Sequence, residues 1–172
     1  MRQIIAVDLD SVLAYNIQIL IDYSNQRWGM NLTPDDYNDY WGHMWGVDKE
    51  EVVKRYIEVR EKSNFFNSEP IKEAKGVLEK LTKRYELIVV TSRGTDVAER
   101  TYRWVDEHFA GIFTEVKILG VWDDLDDDPH LKTKAGICEV IGVDYLIDDE
   151  PKHINAVAKC GTKGLLFGNY SW

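Results

Sequence analysis

Cysteine is scarce in this chain, and so is positive charge. Its 172 residues include two cysteines, Cys138 and Cys160, too few and too far apart for a disulfide framework or a zinc site. A reducing compartment fits. Lysine and arginine number 21 against 30 aspartates and glutamates, a formal net charge of −9. Such a field repels nucleic-acid backbones and argues against large polyanions as partners. Small anions stay admissible, because one divalent cation or a few placed cationic groups can dominate a pocket. No apolar run approaches the roughly 18 residues of a membrane span, and the stretch MRQIIAVDLD meets charged residues too soon for a signal peptide. Internal repeats and low-complexity linkers are missing, apart from the acidic run WDDLDDDPH. These absences leave the expectation of a cytoplasmic protein without membrane or polymer partners, acting on something small; a homodimer is compatible with them.

Hydrophobic residues make up 44% of the chain and aromatic ones 12%, enough for one globular core with a small insertion. QIIAVDLD reads as a short apolar strand, and similar runs follow near 85–92, 116–121, 143–149 and 162–168. Between them, residues 71–83, 96–109, 133–141 and 152–159 have helical spacing. This alternation predicts an α/β fold: a three-layer, Rossmann-like parallel sheet wrapped on both faces. About sixty residues separate the first strand from the second, far more than one crossover needs. Residues 15–68 are therefore expected to form a small helical cap inserted after the first strand, the core being 1–14 and 69–172. Within the cap, LTPDDYNDYW predicts a helix starting at Thr33 as N-cap and Pro34, and DKEEVVKRYIEVREK a second one capped by Asp48.

Three strands end in polar residues. Asp8 and Asp10 follow the first, Thr91 and Ser92 the second, Asp148 and Asp149 the fourth, and ligands of open parallel sheets bind beyond those carboxyl ends. Residues i and i+2 of a strand share a face, so Asp8 and Asp10 are expected close together, a costly arrangement unless a cation or a proton relieves it. A solvated turn is the plain alternative for the pair alone. Four carboxylates at one sheet edge imply a hard divalent cation, and an all-oxygen donor set suits Mg²⁺. Hydroxyls of Thr91 and Ser92 and a lysine, Lys134 or Lys132, would donate to phosphate oxygens. The chemistry suggested is phosphoryl transfer.

In order along the chain, DLDSV, VVTSR, KAGIC and LIDDE resemble the four motifs of haloacid dehalogenase superfamily phosphatases. DLDSVLA, TSR, YRWVDEHF, LIDD and LLFGNYSW look like its 5′(3′)-deoxyribonucleotidase branch, with Ser11 where relatives often carry glycine. The resemblance implies that Asp8 is the nucleophile and Asp10 the acid and base, with Mg²⁺ held by Asp8, the Asp10 backbone carbonyl, Asp149 directly and Asp148 through water. It also implies that Thr91, Lys134 and Ser92 bind the transferring phosphoryl group. Only Lys134 keeps the family's spacing to Ile137 and Cys138. Arg93 is expected to contact substrate or to pair with a nearby carboxylate. The cap's aromatic stretch, with Trp41 and Trp45, offers rings either for a nucleobase or for the cap's own core. The expected activity is Mg²⁺-dependent hydrolysis of a nucleoside monophosphate. Open alternatives are another small phosphoester, such as a sugar phosphate, and a non-catalytic phosphate-binding module. WDDLDDDPH lacks the offsets of a calcium loop and is read as solvated.

Overall fold

The computed structural model describes residues 2–38, 40–121, 123 and 130–170. The chain opens with strand β1 (Ile4–Val7), then passes through helices α1 (Ile17–Trp28), α2 (Trp41–Trp45) and α3 (Lys49–Lys62). Helix α4 (Ala74–Leu81), strand β2 (Glu86–Thr91), helix α5 (Ala98–Phe109) and strand β3 (Glu115–Ile118) follow. Helix α6 (Lys134–Ile141), strand β4 (Tyr145–Asp148), helix α7 (Pro151–Lys159) and strand β5 (Lys163–Leu166) complete the order. Two compact units result. One comprises Met1–Ala14 and Pro70–Gly168, the other Tyr15–Glu69 and the chain from Asn169. Asn169 and Tyr170 thus group with the inserted unit, outside the core range 69–172 expected from the sequence.

The first unit is the expected α/β fold. All four strand pairings are parallel, in the order β3-β2-β1-β4-β5. Strand alternation divides the core between the two faces of the sheet. Ile5 and Val7 of β1 with Leu87 and Val89 of β2 pack on one side with Leu78 of α4 and Trp104, Val105 and Phe109 of α5. Ala6, Ile88, Val90 and Leu146 pack on the other with Cys138 of α6 and Val157 of α7. Thr101, Trp104, Val105 and Phe109 are the buried residues of α5, and their spacing defines one helical stripe.

Cys138 lies in the second of these layers without exposure, and burial pushes its thiol up to about 12. Since only the thiolate reacts, Cys138 is expected to resist iodoacetamide at pH 8 in the native protein and to react once unfolded. Ionising it costs the folded state more than the unfolded chain. Stability should therefore fall as pH rises from about 9 toward about 12. Counting alkylated thiols before and after denaturation checks the first expectation, and melting temperature against pH the second.

Helix α4 begins later than its spacing predicts because the preceding residues are otherwise engaged. The Ile71 amide donates to the Leu13 carbonyl at 2.8 Å, and Ala14 bridges Pro70. At the exit from β1, Ser11 holds φ at 64°, a left-handed conformation that costs a residue with a Cβ roughly 1 kcal/mol. The departure from glycine noted in the sequence thus falls on a strained position.

In the second unit the start signal at Thr33 yields one 3-10 turn, Pro34–Asp36, and not a longer helix. The Asp36 carboxylate accepts from both the Thr33 amide and hydroxyl at 2.8 Å, closing the turn, and Tyr37 becomes extended. Asp48 caps α3 as expected, accepting from the Glu51 amide at 3.0 Å. Trp45 is buried, with its indole N–H donating to the Ser24 hydroxyl at 3.0 Å and its ring edge-on to Trp28 and Trp41. Trp41 also meets Phe65 at 5.1 Å between centroids. Rings and indole are used inside the unit, so of the two uses expected for these aromatics the structure shows packing in the unit's own core.

Candidate active site

The central strand and its two neighbours deliver the site. Asp8 follows the last residue of β1, and its amide donates to the Ile147 carbonyl of β4 at 2.9 Å. Thr91 and Asp148 are the last residues of β2 and β4. Lys134 opens α6, whose N-terminus is set by the Thr133 hydroxyl accepting from the Gly136 amide at 2.9 Å. Gly136 is sterically required there, because an added Cβ would lie 1.9 Å from the His130 carbonyl oxygen. From this position the Lys134 ammonium reaches Asp8 Oδ1 at 2.8 Å and Asp148 Oδ2 at 2.6 Å. Asp148 Oδ1 accepts from the Glu150 amide at 2.9 Å. None of Asp8, Asp148, Asp149 and Lys134 is more than 5% exposed.

Burial pushes the Asp8 carboxyl well above its ordinary value; Lys134 opposes this, while Asp148, Asp149 and Asp10 add to it. For Lys134, burial disfavours the ammonium but Asp8 and Asp148 outweigh it, so the group stays charged. Glu150 beside them is pushed up to about 7, by burial first and by Asp149 and Asp148 after it. Asp8, Asp148 and Asp149 each offer an oxygen within 4.8 Å of the others. Three carboxylates against one ammonium leave a formal deficit that one divalent cation would neutralise. A buried, oxygen-only donor set of this kind fits a hard cation such as Mg²⁺.

Asp10 has a different environment. The strand ends at Val7, so the shared-face expectation for Asp8 and Asp10 gives way to separate pairings: Asp8 meets Lys134, and Asp10 meets Arg93. The Arg93 guanidinium donates to Asp10 through Nε at 3.2 and 3.0 Å and Nη2 at 2.7 Å. Of the two expectations for Arg93, pairing with a nearby carboxylate is the one these contacts make, its side chain only 2% exposed. Thr91 is buried, its hydroxyl accepting from the Arg93 amide at 3.3 Å, and Ser92 is half-buried beside it.

Of the two candidate lysines, Lys134 enters the acidic cluster. Lys132 donates to the Asp123 carbonyl at 2.8 Å. Asp123, in the acidic run expected to be solvated, is engaged instead. Its carboxylate accepts from the Thr95 amide at 2.9 Å and hydroxyl at 2.6 Å, tying together the loops that follow β2 and β3. The signal was faint, since one aspartate among many carries no spacing. Trp122 and residues 124–129 of that run lie outside the described residues.

Residues 2–171 match the 5′ nucleotidase, deoxy (Pyrimidine), cytosolic type C protein family (NT5C). The chain belongs to this family. A Staphylococcus epidermidis protein named "Putative 5′(3′)-deoxyribonucleotidase" is 26% identical over 156 residues, covering 89% of this chain and 77% of that protein. A Staphylococcus aureus protein of the same name is 26% identical over 161 residues with the same coverage. Among solved structures, a haloacid dehalogenase-like hydrolase of Streptococcus pneumoniae superposes with a TM-score of 0.71 at 15% identity, covering 96% of this chain and 84% of that one. A haloacid dehalogenase family enzyme of Bacteroides thetaiotaomicron, in complex with magnesium and inorganic phosphate, gives 0.53 at 14% identity, covering 96% and 94%. This NT5C-family chain is thus a phosphatase of nucleotidase kind, and its fold is that of the haloacid dehalogenase-like hydrolases. Among the described residues no helix is long and apolar enough to cross a membrane.

Proposed function

We propose that this NT5C-family protein is a Mg²⁺-dependent phosphomonoesterase of nucleoside monophosphates, deoxyribonucleotides among them, working through an aspartyl-phosphate on Asp8. The observation that carries the proposal is the difference in surroundings between two aspartates two positions apart. Asp8 sits in a buried acidic cluster with Lys134, whereas Asp10 is paired outside it with Arg93. A carboxylate beside a fixed ammonium and the acidic groups that would hold Mg²⁺ suits attack on a phosphoryl group, and a second carboxylate two positions on, outside that cluster, suits service to the ester oxygen and to water.

In this mechanism an Asp8 carboxylate oxygen attacks phosphorus, the bond to the ester oxygen breaks, and Asp10 gives that oxygen its proton. Water then attacks phosphorus, Asp10 takes a proton back, and the bond from Asp8 to phosphorus breaks to release phosphate. Lys134 and the Thr91 hydroxyl, with Ser92, bind the transferring oxygens. Mg²⁺ would be held by Asp8, Asp149 and the Asp10 carbonyl, and when bound supplies charge neutralisation at the phosphoryl oxygens. Asp148 would act on it indirectly, both its oxygens being engaged by Lys134 and the Glu150 amide.

Phosphate release from a panel of 5′- and 3′-nucleoside monophosphates, ribo and deoxy, and of sugar phosphates, with magnesium or with chelator, tests this reading. Magnesium-dependent release favouring nucleotides is the expected result. A profile favouring sugar phosphates would overturn the substrate and leave the chemistry, and no release from any member would point to a non-catalytic phosphate-binding module.

A further inference from the structure

We propose that Arg93 is a positioning residue, a buried clamp braced by Thr101 that holds the Asp10 carboxylate in the orientation proton transfer requires. This rests on Asp10 as the acid and base proposed above. Arg93 is anchored from several directions. Its amide donates to Thr91 Oγ1 at 3.3 Å and its carbonyl accepts from the Gly120 amide at 3.0 Å, so the end of β2 and the loop after β3 both fix its backbone. Nη1 donates to Thr101 Oγ1 at 3.2 Å, and the buried Thr101 hydroxyl donates in turn to the Val97 carbonyl at 2.9 Å. Nε and Nη2 remain directed at Asp10, with three contacts between 2.7 and 3.2 Å.

A planar guanidinium held at its outer nitrogen by α5 and at its backbone by the end of β2 and the loop after β3 has one orientation to offer. Its fork dictates the plane of the carboxylate it binds. Asp10 lies beyond the end of β1 with a quarter of its side chain exposed, so strand geometry does not set its rotamer. The clamp supplies that constraint from a segment 83 residues away. Proton transfer to a leaving oxygen is steep in donor position, so loss of the clamp should act on the proton-transfer steps and spare substrate binding.

The test compares an ester whose leaving oxygen needs a proton with one whose leaving oxygen does not. With a nucleoside monophosphate, Arg93→Gln is expected to lower kcat by roughly 10²-fold with KM little changed. Arg93→Lys should restore little, because an ammonium cannot make the fork. With 2,4-dinitrophenyl phosphate, the pre-steady-state burst of dinitrophenolate should keep its wild-type rate in both variants. Thr101→Val, nearly isosteric and remote from the reacting atoms, should reproduce the same pattern on a smaller scale, and it carries the test if the Arg93 variants fail to fold. A rise in KM at constant kcat, or equal loss of both ester classes in the first step, would overturn the clamp. Asp10→Asn separates the two levels. If it retains nucleotide hydrolysis, the acid and base reading fails; if it loses hydrolysis while Arg93→Gln and Thr101→Val retain it, only the clamp fails.

Discussion

Asp8→Asn is expected to lower kcat by roughly 10⁴-fold or more, the scale seen when a covalent nucleophile is removed, while leaving the metal-free protein at least as stable as wild type. The two halves of this expectation have one origin. Asp8 is buried against Asp148 and Asp149, and its carboxyl titrates well above its ordinary value. A raised carboxyl value means that the folded state prefers the proton. The charged form is therefore disfavoured in the fold, and this cost sets in as pH rises past the unfolded value near 3.8. Asparagine keeps the shape and removes the charge. Magnesium should separate the proteins in the opposite sense. At a hundredfold excess over Kd a bound ion stabilises the native state by about 2.7 kcal/mol, and the variant, lacking one cluster carboxylate, should gain less. Thermal melts with magnesium and with chelator, beside phosphate release, read all three expectations. A variant that turned over at the wild-type rate would remove Asp8 from the mechanism.

Lys134→Met should damage both activity and stability. The ammonium is the shared partner of Asp8 and Asp148, at 2.8 and 2.6 Å in a site where neither carboxylate is more than 5% exposed. Removing one member of a buried ionic cluster leaves uncompensated charge and costs roughly 3–5 kcal/mol. For a chain of this size that is on the order of 10 °C in melting temperature. Loss of a fixed donor to a transferring phosphoryl group costs about 10²–10³-fold in kcat. Because the two remaining carboxylate neighbours would then lack their cation, added magnesium should recover more stability in Lys134→Met than in wild type. Calorimetry in chelator and in magnesium measures the difference. Equal melting temperatures in chelator would show that Lys134 does not hold the cluster together.

The parallel sheet was legible because short apolar runs alternate with segments of helical spacing, whereas the strand order β3-β2-β1-β4-β5 depends on pairings between distant segments. Helix α3 was legible because Asp48 is a local cap, its oxygen 3.0 Å from an amide three residues on. The turn at Thr33 was half legible: the cap formed, but Asp36 closed it on itself, and side-chain competition of that kind leaves the same residue pattern as a helix start. Trp45 was ambiguous for a deeper reason. An aromatic ring that stacks on a base and one that packs in a core have the same sequence signature, and only its neighbours Trp28 and Trp41 and the Ser24 hydroxyl separate the two.

That Asp8, Thr91 and Asp148 stand at strand ends was legible in the sequence alone, since an apolar run and its polar end are local, whereas Lys134 was separated from Lys132 only by the resemblance to the phosphatase motifs. Which cation faces which carboxylate was decided only in three dimensions. Arg93 could have faced substrate or a nearby carboxylate, and it meets Asp10, 83 residues away, because α5, the end of β2 and the loop after β3 converge on it. Lys132 and Lys134 are two residues apart, yet the first turn of α6 carries one into the acidic cluster and leaves the other on the Asp123 carbonyl. Local pattern specifies which side chains reach the site; packing between distant segments specifies the charge each one meets there.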